Sequence, residues 1–99
     1  MQRILKKIIE FRDARGWREH DTPEALAKSI IIEAAELLEN YQWPDSKPND
    51  ENVKEELADV LMYALAMAID LGLDPEKIIE EKLEKNIKKY PLPDLGKIE

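Results

Sequence analysis

Cysteine is absent from this 99-residue chain. That excludes a disulfide framework, a thiolate metal site and a cysteine nucleophile, and it is compatible with a reducing compartment. Histidine occurs once, as His20, in a segment that reads as loop, so an imidazole-built zinc or di-iron centre has no ligands. Valine and threonine together number three, which leaves β-strands short of the residues that favour them. No apolar run reaches the roughly 18 residues that mark a membrane-spanning helix. Met1 to Lys7 lead into charge instead of a secretory apolar core, so the expected location is cytoplasmic, with no membrane partner. Positive charge is also in deficit. A net charge of −7 argues against affinity for nucleic acid polymers, although a small nucleotide is still admitted, because a metal ion can reverse the local sign.

What the chain has in plenty is helix-forming residues. Ala, Glu, Lys, Leu and Arg account for 50 of the 99, the composition of a helical bundle. The length supports one domain, residues 1–99. Ile4, Ile8 and Phe11, flanked by Leu5 and Ile9, predict a helix over 2–15 that Gly16 ends. Thr22-Pro23-Glu24 supplies a capping oxygen, a proline at the first helical position and an acid at the positive dipole end. It predicts a second helix to about Tyr41. Pro44 and Pro48 bracket a polar loop. A third helix opens near Asn49-Asp50-Glu51 and ends at Gly72. Asp74-Pro75-Glu76 opens a fourth that runs to about Lys89, and Pro91 and Pro93 leave an irregular tail over about 90–99. The expected fold is all-α, a protomer of four-helix-bundle type.

Two groups of acids fall where solvent is not expected. On a helical wheel, Leu26, Ile30, Ala34, Leu37 and Tyr41 share one face of the second helix. Ser29, Glu33, Glu36 and Asn40 form a narrow polar stripe at its edge. In the third helix Asp59 is the single charge between Leu57 and Ile69, and it groups with Glu56, Tyr63 and Asn52. An acid pair at i and i+3 is ordinarily a solvated face. Two such pairs, Glu33/Glu36 and Glu56/Asp59, bring four carboxylates together if the helices are neighbours. Buried negative charges need Lys or Arg partners, raised pKa values or metal ions. Neither stripe contains a Lys or Arg, and an all-oxygen set suits a hard cation such as Mg²⁺, with Mn²⁺ as a substitute.

The third helix is apolar on two sides. Val53, Leu57, Val60, Ala64 and Leu71 make one face, and Ala58, Met62, Leu65 and Ile69 a second, roughly opposite. A helix apolar on two sides is buried on two sides. Four helices leave the second strip without a partner, so a homodimer or homotetramer is expected, with this helix near the symmetry axis.

The acids and the words around them resemble the MazG-like all-α nucleotide pyrophosphohydrolases. Phe11 to Trp17 resemble the F-x-x-x-R-x-W segment, with Arg15 as its arginine. Glu33 to Trp43 resemble E-x-x-E-L-x-E-x-F-Q-W, Glu55 to Tyr63 resemble E-E-L-x-D-V-x-x-Y, and Lys85 to Pro91 resemble K-N-x-x-K-Y-P. The match runs in order from Phe11 to Pro91, and its F-Q-W element at Tyr41 to Trp43 and its K-Y-P element at Lys89 to Pro91 resemble the dCTP pyrophosphatase-like branch. The resemblance implies hydrolysis of a nucleoside triphosphate to the monophosphate and pyrophosphate. It implies Mg²⁺ held by the catalytic acids Glu33, Glu36, Glu56 and Asp59, and assembly as dimers or tetramers. It implies Trp17, Trp43 and Tyr63 as stacking surfaces for the base, and Lys85, Asn86 and Lys89 as phosphate or sugar contacts. That branch commonly has a histidine just before the proline-containing helix start. Here Asp21 stands there, with His20 one residue earlier, so these two bear on base preference. The competing reading is a non-catalytic helical-bundle module for interaction or regulation, its acids kept for stability.

Overall fold

The computed structural model describes residues 1–93, and residues 94–99, the end of the expected tail, lie outside the described residues. The fold is all-α. Among the described residues there are five helices and no strand: α1 (Gln2–Ala14), α2 (Trp17–His20), α3 (Pro23–Leu38), α4 (Asp50–Asp70) and α5 (Pro75–Lys89). None of them is long and apolar enough to cross a membrane.

The punctuation works locally as its chemistry dictates. Thr22 Oγ1 accepts a hydrogen bond from the Ala25 N–H (3.0 Å). Asn49 Oδ1 accepts from Asn52 (3.1 Å), and Asp74 Oδ1 from Glu76 (3.0 Å). Each satisfies a first-turn donor that has no partner inside its helix. Gly16 (φ 67°) and Gly72 (φ 70°) take the left-handed conformation that a side chain would oppose. At Gly72 the Leu73 N–H reaches back to the Ala68 carbonyl (2.9 Å), closing α4 with a Schellman turn.

Two boundaries depart from expectation. The second expected helix stops at Leu38 instead of Tyr41. The Glu39 N–H still bonds four residues back to Ala35, but the two that follow bond to carbonyls three residues back, Asn40 to Leu37 and Tyr41 to Leu38. The Asn40 side chain is diverted into the loop, donating to Asn52 Oδ1 (2.8 Å) and accepting from the Asn49 N–H (3.1 Å). The short α2 was not expected, because four residues are too few to show a period. One turn forms there, closed by the Asp21 N–H on the Trp17 carbonyl (2.8 Å).

α3 and α4 make the central antiparallel hairpin. Along it Asn40 meets Asn52, Glu33 lies by Glu56 and Asp59, and Leu26 joins Ala66 in the core. α1 crosses the C-terminal half of α4, where Ile8, Leu26 and Ala66 are buried with Tyr63, Leu65, Met67 and Ile69 packed against them. α5 touches only the end of α4. The single chain is therefore not a closed bundle. Its radius of gyration is 17.7 Å, against about 13 Å for a compact chain of this length.

The apolar faces of α4 also fall differently from the wheel. Leu65 and Ile69, expected on the uncovered strip, are half-buried because α1 and the start of α3 cover that end. Leu57 and Leu61 stand 47% and 55% exposed, because among the described residues no further helix covers the N-terminal half of α4. Ile31, at 70%, and Ile32 and Leu38 extend this exposed surface onto α3.

One charge lies inside. Arg12 follows Ile8 by one helical turn on the apolar stripe of α1 and is 4% exposed. Its guanidinium clasps Asp70 at the end of α4 through Nη1–Oδ1 (3.1 Å) and Nη2–Oδ2 (2.6 Å), and so pins α1 to α4. Arg12→Ala strands the Asp70 carboxylate and is expected to lower the unfolding free energy by about 3 kcal/mol. The expected change is a lower urea midpoint with an unchanged slope. The double variant Arg12→Met/Asp70→Leu should recover most of the loss. A loss below about 1 kcal/mol for Arg12→Ala would place the pair with screened surface bridges.

Candidate metal centre and adjoining cavity

The i, i+3 spacing turns Glu33 and Glu36 to one side of α3, and Glu56 and Asp59 to one side of α4. The antiparallel hairpin sets these sides face to face. All four residues are half-buried. Glu33, Glu56 and Asp59 each bring one carboxylate oxygen to a common point, all three oxygens within 4.8 Å of one another. Glu36 stands outside that trio but is close enough to interact with both Glu33 and Glu56.

The electrostatics follow. Burial, then hydrogen-bond contact with Glu36 and Glu33 and their charges, pushes the Glu56 carboxyl up to about 7. Burial also raises Glu33, against a hydrogen bond to Glu56 that lowers it. Glu33 Oε2 and Glu56 Oε2 are buried with no hydrogen-bond partner. Among the described residues no Lys or Arg pairs with any of the four acids. Of the three remedies open to buried acids, cationic side chains are thus absent. Protons serve in the metal-free protein, and a divalent cation fits the orphaned oxygens, since hard cations take oxygen ligands, carboxylates among them.

Beside the acids opens a cavity of about 590 Å³ between α1, α2, α3 and α4. Asp59 belongs to both. Phe11, Trp17 and Tyr63 line it along with Leu26 and Met62, and Arg12 and Asp21 add charge to its wall. Trp17 packs edge-on to Phe11, with ring centroids 5.3 Å apart and planes at 81°. Burial raises the Tyr63 hydroxyl, reinforced by the charges of Glu33, Asp59 and Asp21, which puts this tyrosine where the cavity meets the acids.

Of the other sequence-predicted residues, Trp17, Asp21 and Tyr63 share this cavity with Asp59, and the rest do not line it. Arg15 lies outside, its guanidinium 3.7 Å over the Phe11 ring and its Nη1 donating to the Phe11 carbonyl (3.0 Å). His20 ends α2, exposed. Trp43 is 64% exposed in the loop after α3, its N–H bonded to Ser46 Oγ (2.9 Å). Lys85, Asn86 and Lys89 lie on α5, away from the cavity within the single chain. Arg12 was overlooked as a cavity residue. Its signal was available: a charge one turn after Ile8, on the apolar stripe of α1.

These shifts carry a pH signature. A carboxyl raised in the fold binds more protons folded than unfolded, from the ordinary carboxylate range up to about 7, so the metal-free fold loses stability as pH rises through that window. The melting temperature of chelator-treated protein is expected to fall between pH 5 and 8. Glu56→Gln should flatten the slope, and saturating Mg²⁺ or Mn²⁺ should restore stability at pH 8 by mass action. A wild-type profile that matches Glu56→Gln would remove the shared-proton account.

The model of the MazG-like family matches residues 28–99, the stretch that carries all four acids. The chain is 32% identical over 101 residues to the dCTP pyrophosphatase 1 of Mus musculus, covering 93% of this chain and 59% of that protein. With the Homo sapiens protein of the same name it is 31% identical over 100 residues, covering 92% and 59%. This chain thus spans about three fifths of the length of these curated relatives. Among solved structures it is similar to a pyrophosphatase from Archaeoglobus fulgidus, 42% identical with a TM-score of 0.81 over 93% of each chain. With the acid hairpin inside the matched stretch and the fold shared along nearly the whole chain, the protein belongs to the MazG-like family.

Proposed function

We propose that this chain is a divalent-metal-dependent nucleotide pyrophosphohydrolase, converting a nucleoside or deoxynucleoside triphosphate and water to the monophosphate and pyrophosphate. The observation that carries this reading is the juncture at Asp59: an all-carboxylate cluster with two orphaned buried oxygens opens onto an aromatic-lined cavity. The similar proteins named dCTP pyrophosphatase 1 and the archaeal pyrophosphatase support the reaction class. They make dCTP the first substrate to try, in a role of clearing or balancing nucleotide pools.

Glu33, Glu36, Glu56 and Asp59 would hold the metal. Bound there, Mg²⁺ would supply charge neutralisation for the phosphates and acidify an attacking water. The chain's own parts are orientation and exclusion. Trp17 and Tyr63 line the cavity and would offer aromatic surface to a planar base, and the apolar wall around Leu26 and Met62 would keep water from its flat sides. Glu56, whose carboxyl is pushed up to about 7 when metal-free, would be ionised when holding a cation, since ligands must be deprotonated, and would then be a carboxylate able to orient water.

In this reading the chain works as a homodimer or homotetramer. Ile31, Ile32, Leu38, Leu57 and Leu61 leave an apolar surface on the acid hairpin. Each full burial of such a side chain stabilises by roughly 1.5–3 kcal/mol. Assembly would also give α5, with Lys85, Asn86 and Lys89, a way to reach a neighbour's site.

Pyrophosphate release from a panel of nucleotides should require Mg²⁺ or Mn²⁺. Glu56→Gln and Asp59→Asn should lower kcat by about 100-fold or more, while Glu39→Ala, outside the cluster, stays near wild type. In ¹⁸O-water the label should enter the monophosphate, and label in pyrophosphate alone would move attack off the α-phosphorus. Light scattering should give at least twice 11.5 kDa, and Leu61→Asp should dissociate the assembly. A fully active monomer would overturn the oligomeric part.

A further inference from the structure

We propose that Asp21 selects the base. Its carboxylate, in the wall of the aromatic cavity, accepts a hydrogen bond from an exocyclic amino group and disfavours bases with a carbonyl at that edge. This inference rests on the nucleotide pyrophosphohydrolase reading and names the substrate class within it.

Asp21 is held from both sides. Its own N–H closes the single turn of α2 on the Trp17 carbonyl (2.8 Å). The next residue, Thr22, caps α3. The Asp21 backbone is thus fixed relative to Trp17, the aromatic residue one turn before it, and both residues line the cavity with Phe11 and Tyr63. The Asp21 side chain is 32% exposed, too enclosed to be fully hydrated and open enough to be reached.

Its partner leaves it able to accept. Arg12 commits both ends of its fork to Asp70, at 3.1 and 2.6 Å. The same Nη2 stands 3.6 Å from Asp21 Oδ2, within reach of charge and beyond a hydrogen bond. Among the described residues no donor forms a hydrogen bond to the Asp21 carboxylate. Arg12 is therefore a nearby countercharge that leaves the Asp21 carboxylate free to accept.

A carboxylate at neutral pH is an acceptor only. Set in a largely apolar wall whose other charged members are Lys7, Arg12 and Asp59, it rewards a ligand N–H, and a ligand carbonyl there both repels it and leaves it unpaired. A sugar hydroxyl could also donate. The planar aromatic lining marks this part of the cavity for the base, because the acids that would hold the phosphates lie at the other side of Asp59. Cytosine differs from uracil, and adenine from hypoxanthine, by an amino group in place of a carbonyl at one ring carbon. The preference follows that group across both ring types.

The experiment compares kcat/KM with Mg²⁺ for two matched pairs of deoxynucleoside triphosphates, cytosine against uracil and adenine against hypoxanthine. Wild type should favour the amino member of each pair by about tenfold or more. Asp21→Asn, whose amide can turn a donor toward a carbonyl, should bring both ratios to within about threefold of one. Asp21→Ser, with its fold checked by thermal melting, should do the same. Quenching of tryptophan fluorescence by the matched monophosphates should show the same order without turnover. Hydrolysis of all four with ratios near one in wild type, or full preference kept in both variants, overturns the role of Asp21 and leaves the enzyme reading standing. No hydrolysis of any nucleotide overturns the reading beneath it as well.

Discussion

Three carboxylates converge between two helices with a fourth, Glu36, beside them and, among the described residues, no cationic side chain paired with any of them, and much of the structure answers to that one repulsion. An antiparallel helix pair is a simple way to bring two i, i+3 acid pairs face to face. It costs stability unless a proton or a cation enters. Glu56 shows the cost directly, held protonated up to about 7, and the orphaned oxygens of Glu33 and Glu56 show that the chain itself does not remove it. Stability must come from elsewhere: the caps at Thr22, Asn49 and Asp74, the Asn40–Asn52 bond that ties the hairpin beside the acids, and the Arg12–Asp70 clasp at the far end of α4.

The same hairpin is poorly covered. One end of α4 is packed by α1, and its other half leaves Leu57 and Leu61 in solvent with Ile31 and Ile32 of α3. A site that must stay polar on one side and accept a ligand through a cavity on another has few faces left for its own core. In the proposed assembly, burying the remaining apolar surface against further copies of the chain would resolve this and would stiffen the hairpin on which the acid geometry depends.

Local chemistry was legible in the sequence and long-range arrangement was less so. The acid cluster could be read because Asp59 is out of place in an apolar run and the spacing of each pair fixes its side of the helix. Helix starts could be read because Thr-Pro-Glu and Asp-Pro-Glu carry their capping function in three residues. The early end of α3 could not, since it depends on Asn40 meeting Asn49 and Asn52 across the loop. The short α2 shows no period. The faces of α4 were assigned from a wheel that knows two sides but not which neighbour covers which end. Arg12 announced itself as a charge on an apolar stripe, but only the fold reveals Asp70 and Asp21 as its partners. Trp43 and the lysines of α5 stand apart from the cavity, because residues in one family motif need not meet within one chain.

In the proposed reading a divalent cation held by the acid cluster replaces the proton that the raised carboxyls of Glu33 and Glu56 keep in the metal-free protein. Calorimetric titration of the metal-free protein with Mn²⁺ at pH 6.5, in buffers of different ionisation enthalpy, measures both events at once. Binding accompanied by release of about one proton, with release lost in Glu56→Gln, is the predicted result. Binding without proton release, or no binding to the folded protein, would contradict it.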